Sequence, residues 1–315
     1  MVKGSLKGSI KSYLGELGPQ IKNNWLTAGL LYVVVTVTMC VLVLFDGILL
    51  KFGLSTLASA VTLLLYGANY GSLLIGGVAA FILGLFFLVV LEIFSFYIAV
   101  AIQFSIQDVN RGVQTRVSFQ DTWRRIKQMN KNQLLRLFCY NSLFIFLWLL
   151  PVLILKSLFG GIQIVAYLLQ LVAFGVLVWK RLEYSQSLFL YREKQPQFLG
   201  QSQRHALTAS RRFMKKAKLR LLGQLLLAAL PLVVWIAIWG VVMYFGFYIW
   251  EPIMIYGGPL LSVLGGVCFY LPLFQLILAR FYEQNKNAQL LETAFHKTFK
   301  PVEQLTGEAY RKNVN

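Results

Sequence analysis

Residues 73–106 of the chain read LLIGGVAAFILGLFFLVVLEIFSFYIAVAIQFSI, and Glu92 carries the only formal charge among them. A helix crosses the roughly 30 Å hydrocarbon core of a bilayer with about 20 predominantly apolar residues. This stretch is long enough to span a membrane with residues to spare, because about 34 residues rise about 51 Å in a helix. We expect it to tilt, to bend, or to project from the membrane at the end that carries Gln103, Gln107 and Asp108.

Five further apolar stretches accompany it, at about 26–48, 134–157, 162–189, 219–248 and 258–282. They lack the alternation typical of membrane β-strands, and each exceeds the roughly ten residues that such a strand needs. The chain of 315 residues is 57% hydrophobic and 13% charged, whereas a soluble domain carries about 25% charged residues. This composition excludes a soluble enzyme, a disordered chain and a secreted disulfide-rich domain. The sequence predicts an all-α, polytopic bundle of six transmembrane helices over residues 1–285, followed by a cytoplasmic tail at 286–315.

The positive charges are distributed unevenly between the two ends of the predicted spans. When each is assigned to the nearest connecting segment, 28 of the 30 Lys and Arg residues fall on the side that carries both termini, and only Lys51 and Lys156 fall on the other. Short cytoplasmic segments collect Lys and Arg, so we expect a multi-pass protein of a bacterial plasma membrane with both termini in the cytoplasm. The formal net charge of +18 favours anionic inner-leaflet lipids as partners. It does not indicate nucleic acid, because the cations are spread over segments that flank spans.

Three basic segments of similar pattern precede the first, third and fifth spans. In each, apolar residues recur at three- to four-residue spacing with Lys and Arg between them, which is typical of an amphipathic helix in a membrane interface. The apolar positions are Leu6, Ile10, Tyr13, Leu14, Leu17 and Ile21 in the first segment, Phe119, Trp123 and Ile126 in the second, and Leu207, Met214 and Ala217 in the third. We therefore expect three parallel repeats, at about 4–110, 115–195 and 200–285, each an interfacial helix followed by a helical hairpin. The interfacial helices either bind lipids as a collar on the inner leaflet or serve only as structural elbows.

Glu92 is the strongest candidate for a functional side chain, because an acidic group within a span is costly unless it is paired or hydrated. One interpretation gives it a role in proton coupling or substrate binding. The structural alternative is a hydrogen bond to an amide on a neighbouring span, for which the candidates are Asn141, Gln170, Gln224 and Gln275. Asp46, near the expected outer end of the first span, is interpreted as a hydrated helix terminus.

Small residues recur at every fourth position in two of the predicted spans. The second span carries Gly76, Ala80 and Gly84, and the sixth carries Gly258, Ser262 and Gly266. Such a stripe lets two helix backbones approach closely in lipid. We expect it to serve packing within the bundle, with dimerisation as the alternative.

The sequence shows no pattern typical of catalysis, cofactor binding or metal binding. Cys40, Cys139 and Cys268 lie in separate apolar stretches without a CxxC spacing, and the two histidines, His205 and His296, lie in basic segments. The chain also lacks nucleophile-elbow, phosphate-loop and zinc-protease motifs. We therefore expect no catalytic, cofactor-binding or metal-binding residues, and a protein that is not an enzyme.

Three short motifs carry a resemblance to a known family. They are Leu6-Lys7 followed by Asn23-Asn24-Trp25, the segment ALTASRRFMKK at 206–216, and Phe281-Tyr282-Glu283 at the end of the sixth span. Together they resemble the bacterial integral membrane family catalogued as domain of unknown function 975, which is distantly similar to the membrane domain of some glycerophosphodiester phosphodiesterases. The resemblance implies a plasma-membrane protein of unassigned function, and no phosphodiesterase domain accompanies it in this chain.

These observations favour a non-enzymatic membrane component that acts through lipid or protein contacts. Its partners would be membrane lipids, with a second copy or another membrane protein as further possibilities. The alternative is a transporter or flippase for a small or lipidic substrate that uses an intramembrane carboxylate.

Overall fold

The computed structural model describes residues 46–66, 71–159, 161–246 and 270–299, together with the isolated positions 33, 34, 37 and 42. Every element of regular secondary structure within these ranges is a helix. The α-helices, numbered in chain order, are α1 (Asp46–Leu65), α2 (Gly71–Asn110), α3 (Phe119–Gln128), α4 (Lys131–Phe159), α5 (Gln163–Tyr184), α6 (Ser187–Glu193), α7 (Arg204–Phe213), α8 (Lys218–Gly246), α9 (Leu271–Asn285) and α10 (Ala288–Phe295). A short 3-10 helix, Gln195–Phe198, lies between α6 and α7.

Five of the described helical segments are long and apolar enough to cross a membrane: α1, α2, α4, α5 together with α6, and α8. Of the 18 most apolar consecutive residues in each helix, only 6–11% are buried within the chain. Many of their large apolar side chains are exposed, including Leu65, Ile82, Phe146, Leu171 and Val233. An apolar surface of this extent indicates contact with lipid rather than water. The five helices indicate a multi-pass membrane protein.

The second, third and fifth expected spans coincide with α2, α4 and α8. The expected span at 162–189 is divided, because α5 ends at Tyr184 and a separate helix begins at Ser187. The sequence predicts that the first span ends near position 48, but α1 continues to Leu65. It therefore includes Lys51, which the charge count assigned to a segment outside the spans. The first part of the expected sixth span, 258–269, lies outside the described residues. The five described spans therefore establish neither the count of six nor the threefold repeat.

The buried core lies at one end of the bundle, which we call the base. The base comprises the ends of α2, α5 and α9, the beginnings of α4 and α8, and the short helices α3, α6, α7 and α10. Its largest buried side chains include Phe189, Tyr191, Phe198, Phe281 and Tyr282, each no more than 1% exposed. The long helices are thus covered by protein at the base and present apolar surface elsewhere.

The third basic segment forms α7, which lies in the interior of the base. Ala206, Leu207, Ala209 and Phe213 are each 5% exposed or less, and α7 packs against α4, α5, α6 and α10. The amphipathic spacing predicts that its apolar face lies among acyl chains. The structure shows instead that this face is covered by α6 and α10.

The second basic segment forms α3 and has a different setting. It packs on α2, while Phe119 and Trp123 remain 67% and 46% exposed. The first basic segment lies outside the described residues. Of the two that are described, only α3 keeps the exposed apolar face that an interfacial helix requires.

The residues after 285, expected to form a cytoplasmic tail, begin with a helix that belongs to the base. The Asn287 side chain caps α10 by accepting the Leu290 N–H at 2.6 Å. Ala294 and Phe295 are buried against the core. The globular part of the chain therefore extends at least to α10.

The described small residues pack α1 against α2. A Cβ atom built on Gly53 would lie 2.8 Å from the backbone nitrogen of Phe81, and one built on Gly77 would lie 2.9 Å from that of Leu57. A Cβ atom built on Gly84 would instead meet the Leu50 side chain of α1 at 2.6 Å, whereas nothing lies within 4 Å of the corresponding position on Gly76. The stripe thus serves packing within the chain, but it passes through Gly77 and Gly84 rather than Gly76. The second stripe, at 258–266, lies outside the described residues.

Candidate functional site

Asp108, near the end of α2, binds cations on two other helices of the base. It accepts hydrogen bonds from the guanidinium groups of Arg125 on α3 and Arg192 on α6, the latter at 2.5 Å. Arg192 also donates to the side-chain oxygen of Gln107 at 2.8 Å and to the carbonyl of Phe104 at 3.1 Å. One carboxylate, whose side chain is 7% exposed, thus joins three helices.

A second set of ion pairs surrounds Arg111, just beyond the end of α2. Its guanidinium donates to Glu193 of α6 at 2.8 Å and to Glu283 of α9 at 2.7 Å. Glu193 also binds the ammonium group of Lys286 at 2.6 Å, and Glu283 accepts from the Gln107 amide at 2.9 Å. Partial burial lowers the pKa of Arg111, but hydrogen bonds to the two carboxylates outweigh burial and raise its pKa above the ordinary value. The pairs hold the ends of α2, α6 and α9 together.

A third cluster centres on Glu183, near the end of α5. Its carboxylate accepts from Lys180 at 2.8 Å and also from Lys218 at the start of α8. The Lys180 ammonium lies 3.7 Å from the ring centre of Trp148, and the Lys218 ammonium lies 4.2 Å from that of Trp179. Such cation–π contacts contribute about 2 kcal/mol when they are desolvated. This cluster joins α4, α5 and α8.

Most acidic side chains of the base are buried or partly buried in ion pairs, whereas many of its basic side chains are exposed. Asp108, Glu183 and Glu193 each bind two cations. Glu283 binds one cation, Arg111, and accepts a hydrogen bond from the Gln107 amide. Within the described part of the base, the acidic side chain that remains exposed is Glu292. The exposed cations include Arg116, Arg124, Lys127, Lys131, Arg136, Arg181, Arg204, Arg211, Lys215, Lys216 and Arg220. The surface of the base is therefore strongly positive.

The sequence did not reveal these ion pairs. The sequence pattern indicates that the basic residues flank spans, which predicts their side of the membrane but not their partners. The available signal was the presence of acidic residues inside segments of strongly positive composition, such as Glu183 and Glu193. Without the packing of α6 between α2 and α9, that signal does not say which cation each carboxylate meets.

The α3 helix is held firmly and presents an aromatic pair outward. Ser118 caps its first turn, because its hydroxyl oxygen accepts the Asp121 N–H at 3.1 Å and its O–H donates to the Asp121 carboxylate at 2.6 Å. The bond from Arg125 to α2 fixes the opposite face. Phe119 and Trp123 stack on the exposed side, with ring centres 6.5 Å apart and planes 5° apart. Tryptophan beside basic residues is typical of a helix at a membrane interface.

Glu92 lies on the exposed surface of α2. It is near one end of the run of exposed apolar residues on that helix, which extends from Ile75 to Phe94. The structure shows no hydrogen bond between Glu92 and the four amides proposed as its partners, within the residues that it describes. Of these amides, Gln170 accepts from the Lys156 ammonium at 3.2 Å.

Asp46 does not form a hydrated helix terminus. It is 3% exposed, and neither oxygen of its carboxyl group has a hydrogen-bond partner. A Cβ atom built on Gly84 would lie 3.4 Å from Asp46 Oδ1. Asp46 is the first described residue of α1, and its burial, not its position along the helix, excludes a hydrated carboxyl group.

Two of the motifs that carry the family resemblance meet in the base. The rings of Phe213 and Tyr282 lie 5.7 Å apart. Arg212 donates to the carbonyl of His296 at 2.8 Å, which joins α7 to the end of α10. No protein-family model, curated protein or solved structure matches this chain. Its function is inferred below from the geometry and charge of the described residues.

Proposed function

We propose that this protein is a non-enzymatic membrane component whose base binds the anionic headgroups of inner-leaflet lipids. The observation that carries the proposal is the separation of charge within the base. Its carboxylates are occupied by internal ion pairs, and its exposed charges are almost all positive. Each Lys or Arg near an anionic membrane surface contributes about 1 kcal/mol of attraction.

The best-placed lipid contacts lie at the start of α8 and on α3. Lys215 and Lys216 are exposed immediately before α8, whose Leu219 is 72% exposed. Cations beside a lipid-facing leucine lie at the depth of the headgroups. On α3, Phe119 and Trp123 supply the aromatic side chains that favour the same depth.

The wider architecture is part of the proposal. It comprises six spans in three parallel repeats, a bacterial plasma membrane, and both termini in the cytoplasm with the base facing inward. The asymmetry of Lys and Arg supports this orientation, and the motifs at 206–216 and 281–283 support kinship with the bacterial family named above. The described glycines pack α1 on α2, so self-association through that stripe is not part of the proposal.

Transport of a small or lipidic substrate is the alternative proposal. It requires an acidic group within the membrane that can meet a substrate or a proton. Of the two acidic residues described in the spans away from the base, Glu92 is exposed and Asp46 is buried. The burial of Asp46 is the observation that favours this alternative.

The lipid-binding proposal is tested by measuring which lipids the purified chain retains. The protein in mild detergent is mixed with equal amounts of phosphatidylglycerol and phosphatidylcholine, and bound lipids are counted by native mass spectrometry. We expect phosphatidylglycerol to be retained preferentially, and the preference to weaken as salt is added.

A variant with Lys215→Gln and Lys216→Gln should lower that preference by about fivefold for each charge removed, which corresponds to about 1 kcal/mol each. The matched control is Lys156→Gln. It removes an exposed cation near the end of α4 that lies away from the base. Equal retention of the two lipids by the unaltered chain would refute lipid binding by the base.

A further inference from the structure

The ion pairs of Glu183 leave one positive charge without a counter-charge. Its carboxylate accepts hydrogen bonds from the ammonium groups of both Lys180 and Lys218. The two lysine side chains are only 8% and 11% exposed. Two cations and one anion together carry a net charge of +1. A charge held at such low exposure is costly unless an opposite charge compensates it.

No acidic residue of the surrounding helices supplies that opposite charge. The cluster joins α4, α5 and α8, and α7 packs against α4 and α5. Glu183 is the only aspartate or glutamate within these four helices. Elsewhere in the described base, Asp108, Glu193 and Glu283 bind other cations. The excess charge of the cluster is therefore open to an anion from outside the described base.

The cluster lies where the apolar surface of the bundle begins. On α5, Trp179 is the last large apolar side chain that is exposed, and the exposed Arg181 follows it. On α8, Leu219 is 72% exposed directly after Lys218. The Lys218 ammonium lies 4.2 Å from the ring centre of Trp179, and tryptophan is enriched at the depth of lipid headgroups. The excess charge thus lies at the depth where lipid phosphates are found.

Two tryptophan rings line the cluster on its lipid-facing side. The Trp148 ring contacts the Lys180 ammonium and the Trp179 ring contacts that of Lys218, yet the two tryptophans remain 49% and 45% exposed. An aromatic ring attracts a cation but carries no net charge, so neither ring compensates the cluster. A lipid offers both an anionic group for the lysines and apolar chains for the rings.

A further exposed cation lies beside the cluster on α7. Arg211 is exposed and is an electrostatic neighbour of Tyr184, the residue that follows Glu183. Arginine and lysine are the side chains that bind phosphate oxygens through charge-assisted hydrogen bonds. The chemistry of the cluster therefore suits a phosphate that carries a single negative charge.

We propose that the Glu183 cluster binds the phosphodiester group of one anionic membrane lipid. The phosphate compensates the excess charge of Lys180 and Lys218, Arg211 strengthens the attraction, and the acyl chains pack on the two tryptophan rings. This inference rests on the proposed lipid binding by the base. It goes further, because it assigns one discrete site whose lysines are shielded from water and salt.

The site is tested by counting the lipid that the chain retains at high salt. The purified chain in mild detergent is incubated with phosphatidylglycerol or with phosphatidylcholine and washed in about 1 M salt, where the screening length is about 3 Å. Lipids held only by exposed cations are then lost. We expect one phosphatidylglycerol per chain to remain, counted by mass spectrometry after extraction, and no phosphatidylcholine.

The outcomes separate this site from the wider lipid-binding proposal. A preference for phosphatidylglycerol at low salt with no lipid retained at about 1 M would overturn the site and leave the wider proposal standing. Equal retention of the two lipids at both salt concentrations would overturn both. Inorganic phosphate added to the wash should not release the lipid, because it cannot replace the contacts of the acyl chains. Release by inorganic phosphate would show a site for free phosphate and overturn the assignment to a lipid.

Two substitutions in the cluster should change lipid affinity in opposite directions. Lys218→Gln leaves one cation and one anion, so the phosphatidylglycerol concentration for half occupancy should rise at least about fivefold. Glu183→Gln leaves two cations and should lower that concentration by a similar factor. A cluster that only holds helices together would be weakened by both changes. A shift in the same direction for both variants would overturn the proposal.

Arg211→Gln covers the case in which Lys218→Gln does not fold. Arg211 is exposed and forms no ion pair within the described residues, so the variant keeps the Glu183 ion pairs. It should also raise the concentration for half occupancy, by about fivefold. The matched control is Lys156→Gln, an exposed cation near the far end of α4, which should leave that concentration unchanged. Equal values for Arg211→Gln and the unaltered chain would contradict the site.

Discussion

At the scale of single residues, the base is organised around carboxylates that each serve two or more partners. Asp108 binds two guanidinium groups and Glu183 binds two ammonium groups. Because one carboxylate forms ion pairs with two cations, the ion pairs leave a net positive charge inside the base. A single substitution at such a carboxylate therefore leaves two cations without a partner.

Asp108→Ala should destabilise the protein by about 3–5 kcal/mol, because it leaves Arg125 and Arg192 uncompensated at a site of low exposure. The free energy of unfolding, measured by reversible denaturation in mixed micelles, checks this value. The matched control is Asp121→Ala, whose ion-pair partner Arg124 is 66% exposed. Its cost should be about 1–2 kcal/mol, because it removes an exposed ion pair and the hydrogen bond from Ser118. Similar costs for the two variants would contradict a structural role for Asp108.

The two acidic residues that lie in the spans away from the base, Asp46 and Glu92, show why position in the sequence does not settle a role. The sequence predicts a functional side chain at Glu92, which interrupts the longest apolar run, and a hydrated helix end at Asp46. The structure reverses their environments, because Glu92 is exposed and Asp46 is 3% exposed. The difference arises in part from packing, because Gly84 of α2 lies against Asp46, with its missing Cβ position 3.4 Å from Asp46 Oδ1.

At the scale of helices, the contact between α1 and α2 depends on glycine where two backbones meet. Nothing but hydrogen fits at Gly53, because the backbone of Phe81 lies 2.8 Å from the position of its missing Cβ. A backbone atom cannot move aside as the end of a flexible side chain can. The separation of the two helices is therefore set by this residue.

Gly53→Ala should lower the free energy of unfolding by about 1–3 kcal/mol, because the added methyl group forces the two helices apart. Gly47→Ala is the control on the same helix, since nothing lies within 4 Å of that position. It should be neutral or stabilising by up to about 1 kcal/mol through helix propensity. A stability change of equal sign and size for both variants would contradict the close contact.

The exposed face of α3 should lie at the depth of the lipid headgroups. Quenching of tryptophan fluorescence by brominated lipids measures that depth, and Trp123→Phe isolates the contribution of Trp123. We expect lipids brominated near the headgroup to quench Trp123 more strongly than lipids brominated near the acyl-chain ends. Trp235, in the middle of α8, should show the opposite order when isolated through Trp235→Phe. If the two residues show the same order, α3 does not lie at the interface.

At the scale of the whole molecule, the base and the apolar surface define two opposite ends of the bundle. The base carries the ion pairs, the exposed cations and the short helices, and the hairpin between α4 and α5 turns at the far end. The excess of Lys and Arg at the base predicts that it faces the cytoplasm.

Labelling of single cysteines tests this orientation in intact cells, after Cys40, Cys139 and Cys268 are replaced by alanine. An impermeant maleimide should label Ile162→Cys, in the exposed turn between α4 and α5, and should not label Gln197→Cys, an exposed position of the base. Both sites should react after the cells are opened. Labelling of Gln197→Cys alone in intact cells would place the base outside and refute inner-leaflet lipid binding.

The amino-acid sequence by itself determined the helical membrane class and the location of α2, α4 and α8. Long apolar runs have no stable alternative in a bilayer, where every backbone hydrogen bond must be made within the segment or its neighbours. The stripe of small residues in the second span also predicted close packing of that span against another helix.

Only the tertiary structure decided which faces are buried and which charges meet. The apolar positions of α3 and α7 follow the same spacing, yet α7 is covered by α6 and α10 while α3 remains open. Likewise, no periodicity relates Arg192 to Asp108 or Asp46 to Gly84, because the two members of each pair lie on different helices. Spacing specifies what one helix presents on each side, whereas burial depends on what the rest of the chain brings against it.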